Sequence, residues 1–296
     1  MNYLHYPVMN SEVVEIFRGS GGKLFIDCTV GLGGHSRCIL SQIPGSRVLA
    51  LDIDQQSLSQ AETNLKEFGR RVTYRHCNFI HLFEPLDSAW HETAGILVDP
   101  GLSMGQLKDA RRGFAHSLDG PLDMRKDPTD PLSADQVLNT FTENQLAVIF
   151  TGYGEVDKSR QLAKKIIEHR LFTPLHSTTQ LRRLVEQVYR WRPRPGVLHP
   201  AAKVFQALRI FVNHELEGVA EFILKAPRFL KKGARMVFLT YHSLEDRIVK
   251  RAFSSLSADG LMELLRPFPR FPTAAEVALN PASRSAKMRS AQVVGR

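Results

Sequence analysis

Four short apolar runs, separated by stretches of helical periodicity, fill the first hundred residues, and few folds accommodate that rhythm. The runs cover residues 23–28, 47–52, 72–76 and 95–98. Residues 35–42, 55–68 and 79–87 have the spacing of crossover helices, the second opened by Asp54 as an N-cap. Parallel strands cannot be joined by a tight turn and need such crossovers, which then cover both faces of the sheet. The pattern predicts the opening half of a Rossmann-like, doubly wound α/β fold.

After Asp99 the strand rhythm stops. Residues 106–209 show helical periodicity with no convincing buried strand, and candidate helices lie at 133–139, 143–150, 156–169 and 178–189. A long helix is expected from about 202 to 224, and a strand resumes at 235–240. The economical reading is a discontinuous α/β domain over 1–105 and 210–296, with a helical substrate-recognition domain, 106–209, inserted after the fourth strand. The segment Arg192-Pro193-Arg194-Pro195-Gly196 reads as a stiff loop.

With 296 residues, 43% of them hydrophobic, the chain can bury a sizeable core. No apolar run approaches the ~20 residues that span a bilayer, and residues 1–8 lack the basic and apolar segments of a secretion signal, so a soluble cytoplasmic protein is expected. Cys28, Cys38 and Cys77 are odd in number and have no metal-ligand spacing, which argues against a disulfide framework and a zinc site.

The net charge of +9 is concentrated. Residues 181–210 carry seven basic side chains against Glu186 alone, and the tail from Ser283 adds Arg284, Lys287, Arg289 and Arg296 without an acid. Arginines interleaved with Tyr189 and Trp191 suit a phosphate backbone with an unstacked base. Charge alone does not separate that role from a solvated basic surface.

The segment 25–35, Phe-Ile-Asp-Cys-Thr-Val-Gly-Leu-Gly-Gly-His, is a strand entering a glycine-rich turn and then a helix, where bare backbone and helix N–H groups can approach a ligand. Its glycines at 31, 33 and 34 miss the dinucleotide spacing, which places Ser36 where a third glycine belongs and disfavours a nicotinamide cofactor. Asp52 ends the second strand 18 residues after Gly34, placed to accept the ribose hydroxyls of an adenosyl cofactor. Asp54 is left to cap the helix. Phe79, just past the third strand, stands where an adenine would be flanked, although core packing explains it equally.

The fourth strand ends in Val98-Asp99-Pro100-Gly101-Leu102, which resembles the Asp-Pro-Pro-Tyr type of motif in enzymes that methylate planar exocyclic amines. The lone pair of such an amine is delocalised into its ring. A carboxylate accepting its N–H leaves the nitrogen more nucleophilic, so Asp99 is the candidate catalytic residue.

Longer motifs follow in order: His5-Tyr6-Pro7-Val8, Gly33-Gly34-His35-Ser36, Arg112-Gly113-Phe114, Asp119-Gly120-Pro121-Leu122-Asp123-Met124-Arg125 and Tyr153-Gly154-Glu155. Phe205-Gln206-Ala207-Leu208-Arg209-Ile210, Asn213, Glu215-Leu216, the run from His242 to Lys250, Asn280-Pro281 and Arg284-Ser285-Ala286 complete the set. Over nearly its whole length the chain resembles the bacterial 16S ribosomal RNA cytosine-N4 methyltransferases, the RsmH or MraW family. The resemblance implies S-adenosyl-L-methionine as methyl donor, a decoding-centre cytidine of 16S ribosomal RNA as target, and either naked RNA or the small ribosomal subunit as substrate; no membrane partner is implied, and a homodimer stays open. It carries cofactor contacts onto Gly33, Gly34, His35, Asp52, Phe79, Asp99 and Gln106. Four positions depart from the usual family pattern: Met104 stands for a serine, Lys126 for a methionine, Val156 for an acid and Tyr241 for a phenylalanine.

Other motif residues have two readings each. The loop with Asp119, Asp123 and Arg125 either gates the target base or meets substrate phosphate through Arg125, or an Asp-Arg pair pins the two domains together, the last being favoured. Lys203, Gln206, Arg209 and Asn213 form one polar stripe on a helix, which the surrounding basic residues tilt towards RNA contact. His242 either positions the base or is simply hydrogen-bonded, and Ser243 reads as the N-cap of a helix. A non-catalytic RNA-binding factor is the competing reading from another class, and DNA or protein methylation a weaker enzymatic one.

Overall fold

The computed structural model describes residues 7–83 and 92–295. The chain folds as two units, Met1–Gly101 with Leu216–Arg296, and Leu102–Glu215. The sequence placed these boundaries a few residues away, at 105/106 and 209/210.

The first unit is built on seven strands: β1 (Leu24–Asp27), β2 (Arg47–Asp52), β3 (Val72–His76), β4 (Thr93–Val98), β5 (Arg235–Thr240), β6 (Met262–Leu264) and β7 (Lys287–Val293). They lie in the order β3-β2-β1-β4-β5-β7-β6. The first five are parallel, and β7 runs antiparallel to both β5 and β6. Alternation along each strand divides the core. Phe25, Val48, Ala50, Leu97, Val237 and Leu239 face one apolar layer, while Ile26, Leu51, Ile96, Val98, Met236 and Phe238 face the other. The helices α1 (Asn10–Arg18), α2 (Gly34–Gln42) and α3 (Gln55–Asn64) supply Val13, Phe17, Ile39, Leu40 and Leu58 to the first layer. The strand order reverses between β1 and β4, so their carboxyl ends open the crevice in which folds of this kind bind ligands.

In the second unit, α4 (Met104–Lys108), α5 (Ala134–Thr140), α6 (Glu143–Gly154), α7 (Ser159–Arg170), α8 (Thr178–Tyr189) and α9 (Ala201–Val212) follow one another. Four of them start alike: Ser103, Ser133, Thr142 and Ser177 each exchange hydrogen bonds with a glutamine three residues on, a capping box that fixes where the helix begins. Their apolar faces meet in a core that includes Val137, Leu146, Phe150, Leu162, Leu181, Val204 and Leu208.

Two expected helices differ. The one expected at 202–224 is broken: α9 stops at Val212 and α10 (Val219–Lys225) starts after Gly218, with His214 and Gly218 at φ of 50° and 72°. The break is enforced by side chains. Asn213 donates to the Met124 and Arg209 carbonyls at 2.7 and 2.8 Å and accepts the Lys126 N–H at 2.5 Å. The helix expected at 79–87 is, in its described part, a single turn at Phe79–His81; residues 84–91 lie outside the described residues. The first unit is completed by α11 (Ser243–Ala258) and α12 (Ala274–Leu279), with α10 and α11 adding Phe222, Ile223, Val249 and Phe253 to the second layer. No helix among the described residues is long and apolar enough to cross a membrane.

Candidate active site

Three strand ends of the first unit and the start of α2 bring polar side chains together. Ser36, in the first turn of α2, donates to Asp27 Oδ2 at 2.6 Å, and the Thr29 N–H lies 3.4 Å from Asp27 Oδ1. Thr29 Oγ1 in turn accepts the backbone N–H of Asp99 at 2.7 Å, tying the end of β4 to that of β1. Asp27 is only 1% exposed, and burial, outweighing the Ser36 bond and the neighbouring His35, raises its pKa from 3.8 to about 6.

Asp99 is the more accessible carboxylate, at 20% exposure. Its Oδ1 accepts from the Tyr241 hydroxyl at 2.6 Å, and its Oδ2 lies 3.3 Å from His35 Nε2. Burial first, then the adjacent Asp99 charge, pushes the Tyr241 phenol far above its ordinary pKa. Tyr241 therefore stays a donor at any physiological pH and holds Asp99 through Oδ1, while the His35 nitrogen approaches Oδ2 without a hydrogen bond.

The glycine turn stands beside this cluster in sequence and takes the conformation its composition allows. Gly31 and Gly33 sit at φ of 53° and 87°, where a side chain would be strained, and among the described residues a Cβ at Gly31 would meet only the Thr29 carbonyl oxygen, at 4.0 Å. Asp52, at the end of β2, accepts the Gly31 N–H at 2.8 Å and the Asp54 N–H at 2.9 Å. The two backbone bonds fix the orientation of the carboxylate at the strand end. The open backbone at Gly31 with an oriented acid beside it fits an adenosyl cofactor, while Gly33 and Gly34, at the start of α2, pack against Leu65 and Pro7. Asp54 caps α3 as expected, accepting the Gln56 N–H at 3.1 Å. Phe79 is half-buried and meets Phe222 edge to face at 5.1 Å.

The remaining expected site residues fall elsewhere. Gln106 belongs to the second unit, where its Oε1 accepts the Ser103 N–H at 2.8 Å. Met104 is the first residue of α4. Arg125 grips Asp123 through two 2.8 Å bonds and the Pro128 and Asp130 carbonyls at 2.8 Å, partners that all lie within its own loop. Arg209 is engaged with Glu215 at 2.9 Å, Lys126 reaches the same carboxylate at 2.9 Å, and Lys203 donates to the Glu155 carbonyl at 3.3 Å. These contacts, with those of Asn213, give most of the polar stripe partners inside the helical unit. The basic tail is likewise partly internal, since Arg289 is buried and, with Lys287, pairs with Asp246 at 2.7 and 3.1 Å. His242, not Ser243, caps α11, its Nδ1 lying 3.4 Å from the Glu245 N–H, because the extended residue preceding the helix is the histidine.

Sequence reasoning missed two contributors. Tyr241 stood out only as a departure from a pattern, and its position one residue past the end of β5 was the signal of a role at the crevice. Asp27 ends the apolar run of β1, which signals burial of the strand, but its carboxylate gives no sign of the partners it meets there.

A family model described as the MraW methylase family matches residues 2–294. A ribosomal RNA small subunit methyltransferase H from Cyanothece sp. is 41% identical over 290 residues, covering 98% of this chain and 95% of the relative. The protein of the same name from Thermotoga neapolitana is 42% identical over 302 residues, covering 99% and 97%. A solved rRNA methylase from Streptococcus thermophilus aligns over 98% of both chains at 9% identity with a TM-score of 0.43.

Proposed function

The chain belongs to the MraW methylase family, and from that membership we propose that it methylates the exocyclic N4 amine of a cytidine in the decoding centre of 16S ribosomal RNA, in the cytoplasm. S-Adenosyl-L-methionine, the methyl donor of this reading, supplies an electrophilic methyl group on a sulfonium. Gly33, Gly34, His35, Asp52, Phe79, Asp99 and Gln106 are the proposed cofactor residues. Asp52, oriented at the end of β2 by the Gly31 and Asp54 N–H groups, is the proposed acceptor of the ribose hydroxyls.

One observation carries the chemistry: a partly exposed carboxylate, Asp99, stands at the crevice between a tyrosine donor at 2.6 Å and a histidine nitrogen at 3.3 Å. Held in one orientation, it accepts an N–H of the target amine and draws the nitrogen lone pair out of the ring, so that direct transfer needs no covalent enzyme intermediate. The exposed arginines of residues 181–210 are the proposed RNA face, and an assembled small subunit is the proposed physiological substrate. Asp99→Ala should lower transfer by at least about 100-fold, the scale of losing a positioned acceptor in the transition state. Wild-type turnover by that variant, measured with small subunits as substrate, would remove the mechanism.

A further inference from the structure

The C-terminal end of α8 carries a charge arrangement that the helical unit itself does not use. Arg190 closes the helix in the left-handed conformation at φ 49°, a position that glycine ordinarily fills. The turn is fixed by the Arg190 N–H to the Gln187 carbonyl at 3.2 Å and the Trp191 N–H to the Glu186 carbonyl at 2.9 Å. It places Arg190, Trp191 and Arg192 with Arg183, Glu186 and Gln187 around a shallow, open hollow of about 430 Å³.

Arg183, Arg190 and Arg192 are exposed, and none has an acidic partner among the described residues. The acid of the hollow, Glu186, is already engaged by His199 at 3.1 Å and Arg182 at 3.6 Å. Three guanidinium groups around one hollow repel each other unless an anion joins them, and their planar forks match phosphate. The two aromatic residues of this stretch are not equivalent. Tyr189 gives its hydroxyl to Asp157 and has the Lys158 ammonium 5.1 Å from its ring centre. Trp191 is half-buried, backed edgewise by His199 at 5.1 Å, which itself stacks on His116 at 5.0 Å. That backing makes the indole a firm platform.

We propose that this hollow docks one nucleotide of single-stranded RNA, its base stacked on Trp191 and its adjoining phosphates held by Arg183, Arg190 and Arg192. An indole among arginines favours RNA over an acidic peptide, because every base offers a π-face and a carboxylate side chain does not. The proposal deepens the RNA reading above and rests on it.

The test titrates the full-length protein with a short oligouridylate, following tryptophan emission over a series of salt concentrations. Trp90→Phe should retain the quenching of wild type and Trp191→Phe should lose it. Trp191→Ala should weaken RNA binding about 10-fold, as expected for one lost base stack. Arg183→Gln with Arg192→Gln should flatten the slope of log affinity against log salt by about 1.4, from two lost phosphate contacts on a single strand. Undiminished quenching in Trp191→Phe, or an unchanged salt slope, would overturn the site, and so would equal competition by an acidic peptide of matched charge. Methyl transfer to small subunits in the same variants separates the two readings. Transfer with RNA affinity indifferent to these residues sinks the docking site alone, whereas RNA binding through Trp191 without any transfer supports the site and sinks the activity.

Discussion

Replacing Asp27 by asparagine should stabilise the protein at neutral pH and leave it nearly unchanged near pH 4. Asp27 is 1% exposed, and its burial raises the pKa from 3.8 to about 6. Below about pH 4 both the folded and the unfolded chain hold this proton, and the residue's contribution to stability is fully present. Between about 4 and 6 the unfolded chain releases it first, so that contribution is lost as pH rises through the folded value. At about 1.4 kcal/mol per pKa unit, the interval from 3.8 to about 6 corresponds to about 3 kcal/mol lost by pH 7. Asparagine cannot ionise and escapes the loss. Its carbonyl can take the place of Oδ1 before the Thr29 N–H, while the Ser36 hydroxyl, now 2.6 Å from Oδ2, turns to accept from the new amide. At about 2–4 °C per kcal/mol, scanning calorimetry should find the melting transition about 6–12 °C higher at pH 7.5. The same shift at pH 4, or a lower transition at pH 7.5, would refute the assignment of a buried and penalised carboxylate.

Other expectations follow from the same contacts. Tyr241→Phe removes a hydrogen bond to a charged acceptor, worth about 1.5–3 kcal/mol, and should lower kcat about 10-fold while leaving the KM for the methyl donor nearly unchanged in steady-state kinetics. Asp52→Ala should weaken the binding of S-adenosylhomocysteine, measured by titration calorimetry, by more than its cost in thermal stability, since the two backbone bonds it also loses lie at a partly exposed turn. Glu215 is buried, which by itself would raise its pKa, but Arg209 and Lys126 outweigh burial and hold it at about 2. Its stabilising contribution is therefore present above about pH 4.5 and fades as pH falls towards 2; Glu215→Gln strands both cations and should destabilise the helical unit by about 3–5 kcal/mol in urea unfolding followed by circular dichroism.

β2 and β5 were legible because buried parallel strands announce themselves as apolar runs, and both begin and end where hydrophobicity predicts; β3 also keeps its expected bounds, although it is the largely exposed edge strand. The break between α9 and α10 was not legible, since the apolar periodicity continues across it while Asn213 and the Glu215 ion pairs, acting through residues about 90 positions earlier, end the helix. The glycine turn and the strand-end acids Asp52 and Asp99 could be placed from spacing alone. Which polar groups face one another could not. The Tyr241 to Asp99 bond joins residues 142 positions apart, and the burial of Asp27 depends on the packing of three elements. The polar stripe on α9 shows the same limit, because periodicity tells that residues share a face without telling which partners they meet.

The most direct test of the central claim is to incubate the purified protein with radiolabelled S-adenosylmethionine and small ribosomal subunits from a strain lacking this methyltransferase, then digest the RNA to nucleosides. Label in N4-methylcytidine is the predicted result. Label in another nucleoside, or none while cofactor binding is intact, would contradict it.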